Sequence, residues 1–424
     1  MVSFELATAT RILFGPGRLA ETPGAIAALG ARRALLVTGR SARHSAAFQE
    51  ALGARGIAAV VFPVAGEPSV DLAREGVARA LAERCDAVIA MGGGSALDCG
   101  KAIAALAANG GDPLDYLEVL GRGRPLTLPS LPFVAIPTTA GTGSEVTRNA
   151  VLGSREAQVK ASLRSPLMLA RLAVVDPDLL AGAPPFVLAS SGLDALSQLV
   201  EPYLSARANP LTDALAREGI CRSARSLRRA CLMSEQAAPP DASPQRVGRR
   251  AVNERGACAA QPLTSSRLDA PDAAAREDLA LASLFGGLCL ANAGLGAVHG
   301  FAAPVGGMFS APHGAVCAAL LAPALDVNLR ALRARAPEHP ATGRFRELAA
   351  WLTGRVDAAP EDGIAWIAEL CRALHIPGLA HHGMTAADVP AVVSKAKAAS
   401  SMRANPIALT DGELTEIAER SLRA

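Results

Sequence analysis

Four residues in the second half of the chain have the types and spacing to hold a divalent metal. Asp194 and Gln198 stand four apart in "SGLDALSQLVEP", a helical pattern, so their side chains project from one face about one turn apart. His299 and His313 lie on either side of a Gly/Pro-containing stretch in "AVHGFAAPVGGMFSAPHG". One carboxylate and two imidazoles form an ordinary donor set for a transition metal, and the Gln198 amide oxygen offers a fourth, neutral and weaker ligand. A single histidine in an apolar stretch more often just hydrogen-bonds within a core, so the weight lies in the combination. The other histidines (His44, His339, His375, His381, His382) have no ligand-like spacing and are expected at the surface.

A second constellation sits in the first half. "DAVIAMGGGSALDCGKAIA" (86–104) is an apolar run that stops at glycines and restarts as a helix expected to begin near Ser95. Gly93 and Gly94 let the backbone approach an anion, and the free N–H groups of the helix start favour phosphate. Asp98, expected in the first turn, could complement that dipole or take a ligand hydroxyl. The G-x-G-x-x-G fingerprint is absent, and a tight turn with no ligand would look the same. A second loop, "PTTAGTGSEVT" (137–147), brings the hydroxyls of Thr138, Thr139, Thr142 and Ser144. Two Gly/hydroxyl loops at neighbouring strand ends form a cleft of the kind that binds a pyrophosphate-bearing cofactor.

The elements that must carry these residues are legible. "RALLVTG" (33–39), "AAVVFPV" (58–64), "DAVIAMGGG", "LPFVAIP" and "LAVVDPDLL" read as strands, and "VDLAREGVARALAER" (70–84) reads as a helix between two of them. Continuous β-branched runs separated by helices indicate a parallel sheet buried on both faces. Beyond about residue 185 only helical spacing remains, from "LASSGLDALSQLVEPYLS" to "GIAWIAELCRALH". The expected organisation is an α/β dinucleotide-binding half at 1–185 and an all-helical metal and substrate half at 186–424. Residues 234–273, rich in Pro, Ala, Ser and Arg, are expected to form an exposed insertion in the second half.

Composition narrows the class. A net charge of +3 on 424 residues, with no basic stripe, argues against nucleic acid. No uninterrupted apolar run reaches the roughly 18 residues of a membrane helix, and the first residues lack a secretion-signal pattern. The eight cysteines show no C-x-x-C spacing, and Cys85, Cys289 and Cys317 sit in apolar surroundings, as reduced buried thiols do. A cytoplasmic enzyme with no membrane or nucleic-acid partner is expected.

These motifs together resemble the iron-containing, group III alcohol dehydrogenases, of dehydroquinate-synthase-like fold. The matching stretches are "ILFGPG", "GGGSALDCGKAIA", "PTTAGTGSEVTRNAV", "VVDPDLL", "SGLDALSQLVEPYLS", "GAVHGFAAPVGGMFSAPHG" and "ANPIALTDGEL". The resemblance implies that Gly93, Gly94 and Ser95 hold the pyrophosphate of NAD or NADP. It also implies that Asp98, Thr138, Thr139 and Thr142 line the cofactor, with Asn149 and Lys160 near the ribose and nicotinamide. Asp194, His299 and His313 match three of the family's four metal ligands. The fourth, usually a histidine, is Gln198 here, and a further family histidine near the substrate is Ala303. The expected metal is Fe2+, with Zn2+ as an alternative, more weakly held because an amide replaces an imidazole. A homodimer and reversible NAD(P)-dependent hydride transfer between a primary alcohol and its aldehyde are also implied. A glycerol-dehydrogenase-like polyol dehydrogenase, a metal-independent aldehyde reductase and a non-catalytic nucleotide-binding homologue are the alternatives. Such enzymes often carry an Asp after the "VT" of the second strand, which repels the 2′-phosphate. Here Gly39, Arg40 and Ser41 follow it, so NADP is expected to be tolerated and preferred.

Overall fold

Strand alternation and burial account for the first half of the computed structural model, which describes residues 3–154, 156, 159–236, 270–309 and 311–423. The strands β1 (Ile12–Phe14), β2 (Arg33–Thr38), β3 (Ala58–Pro63), β4 (Ala87–Gly92) and β5 (Phe133–Pro137) are followed by an antiparallel pair, β6 (Asn149–Ser154) and β7 (Val159–Arg164), and then by β8 (Leu172–Val175). Six of them form one parallel sheet in the order β1-β8-β5-β4-β2-β3. The inner strands β4, β5 and β8 are buried along their whole length, while the edge strand β3 is partly exposed.

Helices α1 (Thr22–Ala28), α2 (Ser45–Gly53), α3 (Val70–Ala82) and α4 (Gly94–Asn109) cover the sheet, with a short α5 (Pro113–Tyr116) after them. Successive strand residues face opposite sides. Leu36 and Ile89 pack with Ile26, Phe48 and Leu52 of α1 and α2, whereas Leu35, Val37 and Val88 pack in the cluster holding Leu97 and Ile103 of α4. The chain leaves β2 for β3 at the edge, then returns to place β4 on the other side of β2. Such a switch in strand order opens a crevice at the carboxyl ends of β2 and β4, where ligands of parallel sheets bind.

The second half is helical: α6 (Pro185–Leu204), α7 (Pro210–Gln236), α8 (Ala270–Ala293), α9 (Ala297–Met308), α10 (His313–Arg335), α11 (Pro340–Thr353), α12 (Pro360–Ala373), α13 (Val389–Ala398) and α14 (Asp411–Arg420). No strand follows β8 among the described residues. The expected insertion at 234–273 lies outside the described residues except at its ends, which continue α7 and α8. Helix α6 packs on α7, α8 and α10 and is buried from Gly192 to Leu204, as the central helix of a bundle must be. Helix α10 is long and apolar enough to cross a membrane, but 72% of its apolar window is buried against its neighbours.

Candidate metal and cofactor site

The glycine loops meet as their residue types require. Gly92 pairs in register with Pro137, so the loops after β4 and β5 lie side by side. A Cβ on Gly94 would stand 2.5 Å from Thr142 Cγ2, and one on Gly93 would stand 3.3 Å from the Thr139 side chain. Gly93, Gly94, Ser95, Thr138, Thr139 and Thr142 are all partly exposed although the strands behind them are buried. Gly39, at the end of β2, faces Gly92 across the same crevice, and its N–H donates to the Met91 carbonyl. Arg40 is held by its Nε donating to the Ala65 carbonyl, and Ser41 is exposed beside it.

Helix α4 begins at Gly94, so Asp98 lies in its second turn and not, as expected, in its first. The Asp98 carboxylate accepts from Ser144 Oγ at 2.5 Å and from the Val151 N–H at 2.9 Å. It ties the second loop and β6 to α4. Lys101, one turn on, is fully buried, and its ammonium donates to the oxygens of Ser144 and Thr147 and to the Asn149 carbonyl, all within 3.1 Å. Asn149 thus contributes its backbone to this brace. Lys160, on β7, reaches Glu67 Oε2 at 3.1 Å and approaches the face of α9 at Gly306.

Burial pushes the Lys101 ammonium down to about 8, against the pull of Asp98 and Glu145. Burial likewise raises the Glu145 carboxyl to about 7, opposed by its own backbone N–H and by Lys101. The folded protein therefore holds the Glu145 proton more tightly than the unfolded chain. The resulting stability is complete below about pH 4.5 and is lost as pH rises through about 7, by up to roughly 3 kcal/mol. Glu145→Gln, which mimics the neutral acid, should match the wild type near pH 5 and exceed it near pH 8 in thermal melts. Equal melting temperatures at both pH values would mean that burial does not govern this carboxyl.

In the helical half, Asp194 Oδ1 lies 3.4 Å from His299 Nε2 and 3.7 Å from His313 Nε2. Cys317 Sγ lies 3.8 Å from His299 Nε2 and 3.6 Å from His313 Nε2, and all four donor atoms fall within 4.8 Å of one another. Gly314 makes this possible, because it lets the start of α10 rest 2.4 Å (from an ideal Cβ) from the Ser190 carbonyl of α6. His299 is fixed from behind: Glu201 Oε2 lies 2.6 Å from its Nδ1, and Glu201 Oε1 accepts from the Val298 N–H at 2.7 Å. Asn405, of the "ANPIAL" stretch, accepts from the Ala297 N–H at 3.1 Å. Two side chains thereby satisfy two of the free N–H groups at the start of α9.

The donor set fits a cation. Asp194 Oδ1 and Gln198 Oε1 are buried acceptors with no hydrogen-bond partner, a costly state for isolated lone pairs. Burial opposes charge on His313, yet Cys317 and Asp194 raise it to about 9, so the pocket draws positive charge. Glu201 beside Nδ1 orients the His299 ring so that Nε2 faces Asp194 and Cys317, as outer carboxylates orient ligating histidines. Gln198 lies one turn after Asp194, 3% exposed, with its Oε1 toward Gly286 of α8. Ala303 is partly exposed, one turn after His299.

The profile described as "Iron-containing alcohol dehydrogenase" matches residues 9–177, and that described as "Fe-containing alcohol dehydrogenase family, C-terminal" matches 259–422. The chain belongs to the iron-containing alcohol dehydrogenase family. It is 34% identical to the 1,3-propanediol dehydrogenase of Klebsiella pneumoniae over 95% of both chains. It is 31% identical to the choline dehydrogenase of Bacillus subtilis over 90% of this chain and 86% of that one. A crystal structure of a 1,3-propanediol oxidoreductase superposes with a TM-score of 0.83 at 32% identity, covering 99% of this chain and all of the other. The protein is therefore an oxidoreductase acting on alcohols, of a family that uses a metal and NAD(P). In this alcohol dehydrogenase, Asp194, His299 and His313 converge, as their spacing suggested. Glu201 and Cys317 were missed. Glu201 stands seven after Asp194, and Cys317 four after His313, so helical spacing could have found both.

Proposed function

We propose that this alcohol dehydrogenase catalyses reversible hydride transfer between NAD(P) and a small primary alcohol or its aldehyde, with a divalent cation held by Asp194, His299 and His313. One observation carries the reading: a single loop touches both constellations. Residues 138–144 face Gly93 and Gly94 on one side. On the other, a Cβ on Gly141 would stand 2.8 Å from Ser191 Cβ, three residues before Asp194, and one on Gly143 would stand 2.3 Å from Gly287 of α8. Gly143 also has φ +58°, so a side chain there is doubly disfavoured. A dinucleotide on the glycine loops would point its far end toward the metal-holding helices.

The cation, when bound, supplies Lewis acidity that favours loss of the alcohol proton near neutral pH. The nicotinamide supplies or accepts the hydride. The chain's own part is positional. Glu201 holds the His299 ring with Nε2 toward Asp194, the Lys101 brace holds the two loops together, and Lys160 on β7 approaches α9. Ala303 offers no group that could take the alcohol proton, which would then be carried off by water. The likeness to a propanediol dehydrogenase and a choline dehydrogenase supports small primary hydroxyl substrates.

Gly39 and Arg40 support NADP tolerance with a preference for NADP, because no carboxylate repels the 2′-phosphate and a guanidinium stands close by. Assays over an alcohol and aldehyde panel with both cofactors test the whole reading. Gly39→Asp should move kcat/KM toward NAD, since a Cβ there meets Gly92 Cα only at 3.6 Å, an ordinary contact. A wild-type preference for NAD beyond about tenfold, or roughly 1.4 kcal/mol, would overturn the cofactor assignment.

A further inference from the structure

The proposed chemistry leaves one converging donor without a role, Cys317. We infer that its thiolate is the fourth ligand of the metal site, so that the ion is held by Asp194, His299, His313 and Cys317 and not by the Gln198 amide. This rests on the metal-dependent reading of the same site.

The separations are those of ligands around one ion. Tetrahedral coordination with bonds of about 2.0–2.1 Å to nitrogen or oxygen and about 2.3 Å to sulfur puts neighbouring N/O atoms about 3.3 Å apart and N/S pairs about 3.6 Å apart. The observed values are 3.4 and 3.7 Å from Asp194 to the two imidazoles, and 3.8 and 3.6 Å from Cys317 to them. The sulfur distances are also those of ordinary sulfur hydrogen bonds, so the Asp194 distances carry the distinction. A charge-assisted imidazole–carboxylate bond closes to about 2.7–2.9 Å, as His299 does with Glu201 at 2.6 Å on its other nitrogen. Asp194 Oδ1, buried among these groups, has no hydrogen-bond partner at all.

The chain delivers the sulfur by simple means. Cys317 is one helical turn after His313 on α10, so both side chains leave the same face. It is wholly buried, which keeps water from the fourth position on that side. Gln198 shares that face of α6, but its oxygen lies beside Gly286 of α8 and brings no charge to balance a cation. The site thus regains an anionic donor from α10 where α6 offers only an amide. As the sulfur–metal bond forms, the thiol proton passes to solvent. One thiolate, two imidazoles and one carboxylate are a softer set than the iron site implied by the family, and they favour Zn2+ over Fe2+. The competing account is a buried cysteine that packs as a small apolar side chain and merely touches two histidines.

The test uses the full-length protein, stripped of metal with a chelator and reloaded with Co2+ or Zn2+. Wild type should take up one Co2+ and show a near-ultraviolet sulfur-to-cobalt charge-transfer band. That band should vanish in Cys317→Ser and persist in Gln198→Ala. In chelator competition, Cys317→Ala should weaken Zn2+ binding by at least the roughly 10- to 100-fold that follows loss of an outer-shell partner, while Gln198→Ala changes it little. Melting curves of the metal-free variants separate loss of a ligand from loss of the fold, and the wild-type spectrum needs no variant. Stoichiometric, His299-dependent Co2+ without the charge-transfer band, or unchanged Zn2+ affinity in Cys317→Ala, would overturn the thiolate ligand and leave the metal-dependent function standing. A wild type that binds neither ion would overturn both.

Discussion

His299→Ala should lose bound metal and lower kcat/KM for alcohol oxidation by at least about three orders of magnitude, the several kcal/mol that a Lewis acid contributes. Added metal should not restore it, because an intended ligand is gone. Glu201→Gln should behave differently although it alters no proposed ligand. In the native protein Glu201 accepts twice, from His299 Nδ1 and from the Val298 N–H. An amide has only one acceptor oxygen. If that oxygen keeps Val298, the NH2 group faces Nδ1 and forces the ring proton onto Nε2, where the lone pair is needed. If it keeps His299, two donors meet at Val298 instead. Metal affinity should therefore fall about 10- to 100-fold with the fold intact, and excess metal should restore most of kcat. Metal content by mass spectrometry and activity against metal concentration check both variants. Full activity of metal-stripped wild type would sink the metal assignment, and Glu201→Gln with native affinity would remove Glu201 from it.

How much of this was legible depended on burial. Strands β2, β4, β5 and β8 are covered on both faces, so they read as unbroken apolar runs, and their bounds came within a few residues of expectation. The three-residue β1 carries too little pattern to detect. The β6/β7 pair has no counterpart among the expected strands, because polar residues interleave its half-buried positions and its partner is local. Helices of the second half were visible from spacing alone. Their mutual arrangement was not, since it is set by close approaches such as Gly192 on Leu227 and Gly314 on Ser190, which no periodicity encodes. The proposed metal ligands from α6 and α9 stood out because Asp and His are rare on buried helix faces. Cys317 did not, because a cysteine in an apolar helix is the expected occupant of a core. The same holds for Lys101, whose buried charge depends on oxygens supplied more than forty residues later in the chain.

Gly94→Val should abolish dinucleotide binding while the sheet and the helical half remain folded. The sequence alone gives one reason, since a branched side chain at the first residue of α4 occupies the approach to the helix N-terminus. The structure gives a second and stronger one. Even a single Cβ at 94 would meet Thr142 Cγ2 at 2.5 Å, Oγ1 at 2.8 Å and Cβ at 3.2 Å, so rotation of Thr142 does not relieve the contact. The second loop must move away, but its other side is pinned by Gly141 on Ser191 and by Gly143 on Gly287. The strain falls on the crevice between the loops, while the strands beneath keep their register. Titration with NADH and NADPH should show affinity weakened by more than about 100-fold, or roughly 2.7 kcal/mol, with circular dichroism close to that of wild type. Metal content should stay near the wild-type level, because Asp194, His299, His313 and Cys317 belong to helices that the substitution does not touch. Gly93→Ala makes the graded control: its Cβ stands 3.3 Å from the Thr139 side chain, a contact eased by a shift of a few tenths of an ångström. It should weaken binding far less. If Gly94→Val binds either dinucleotide like the wild type, the cofactor does not lie on these loops.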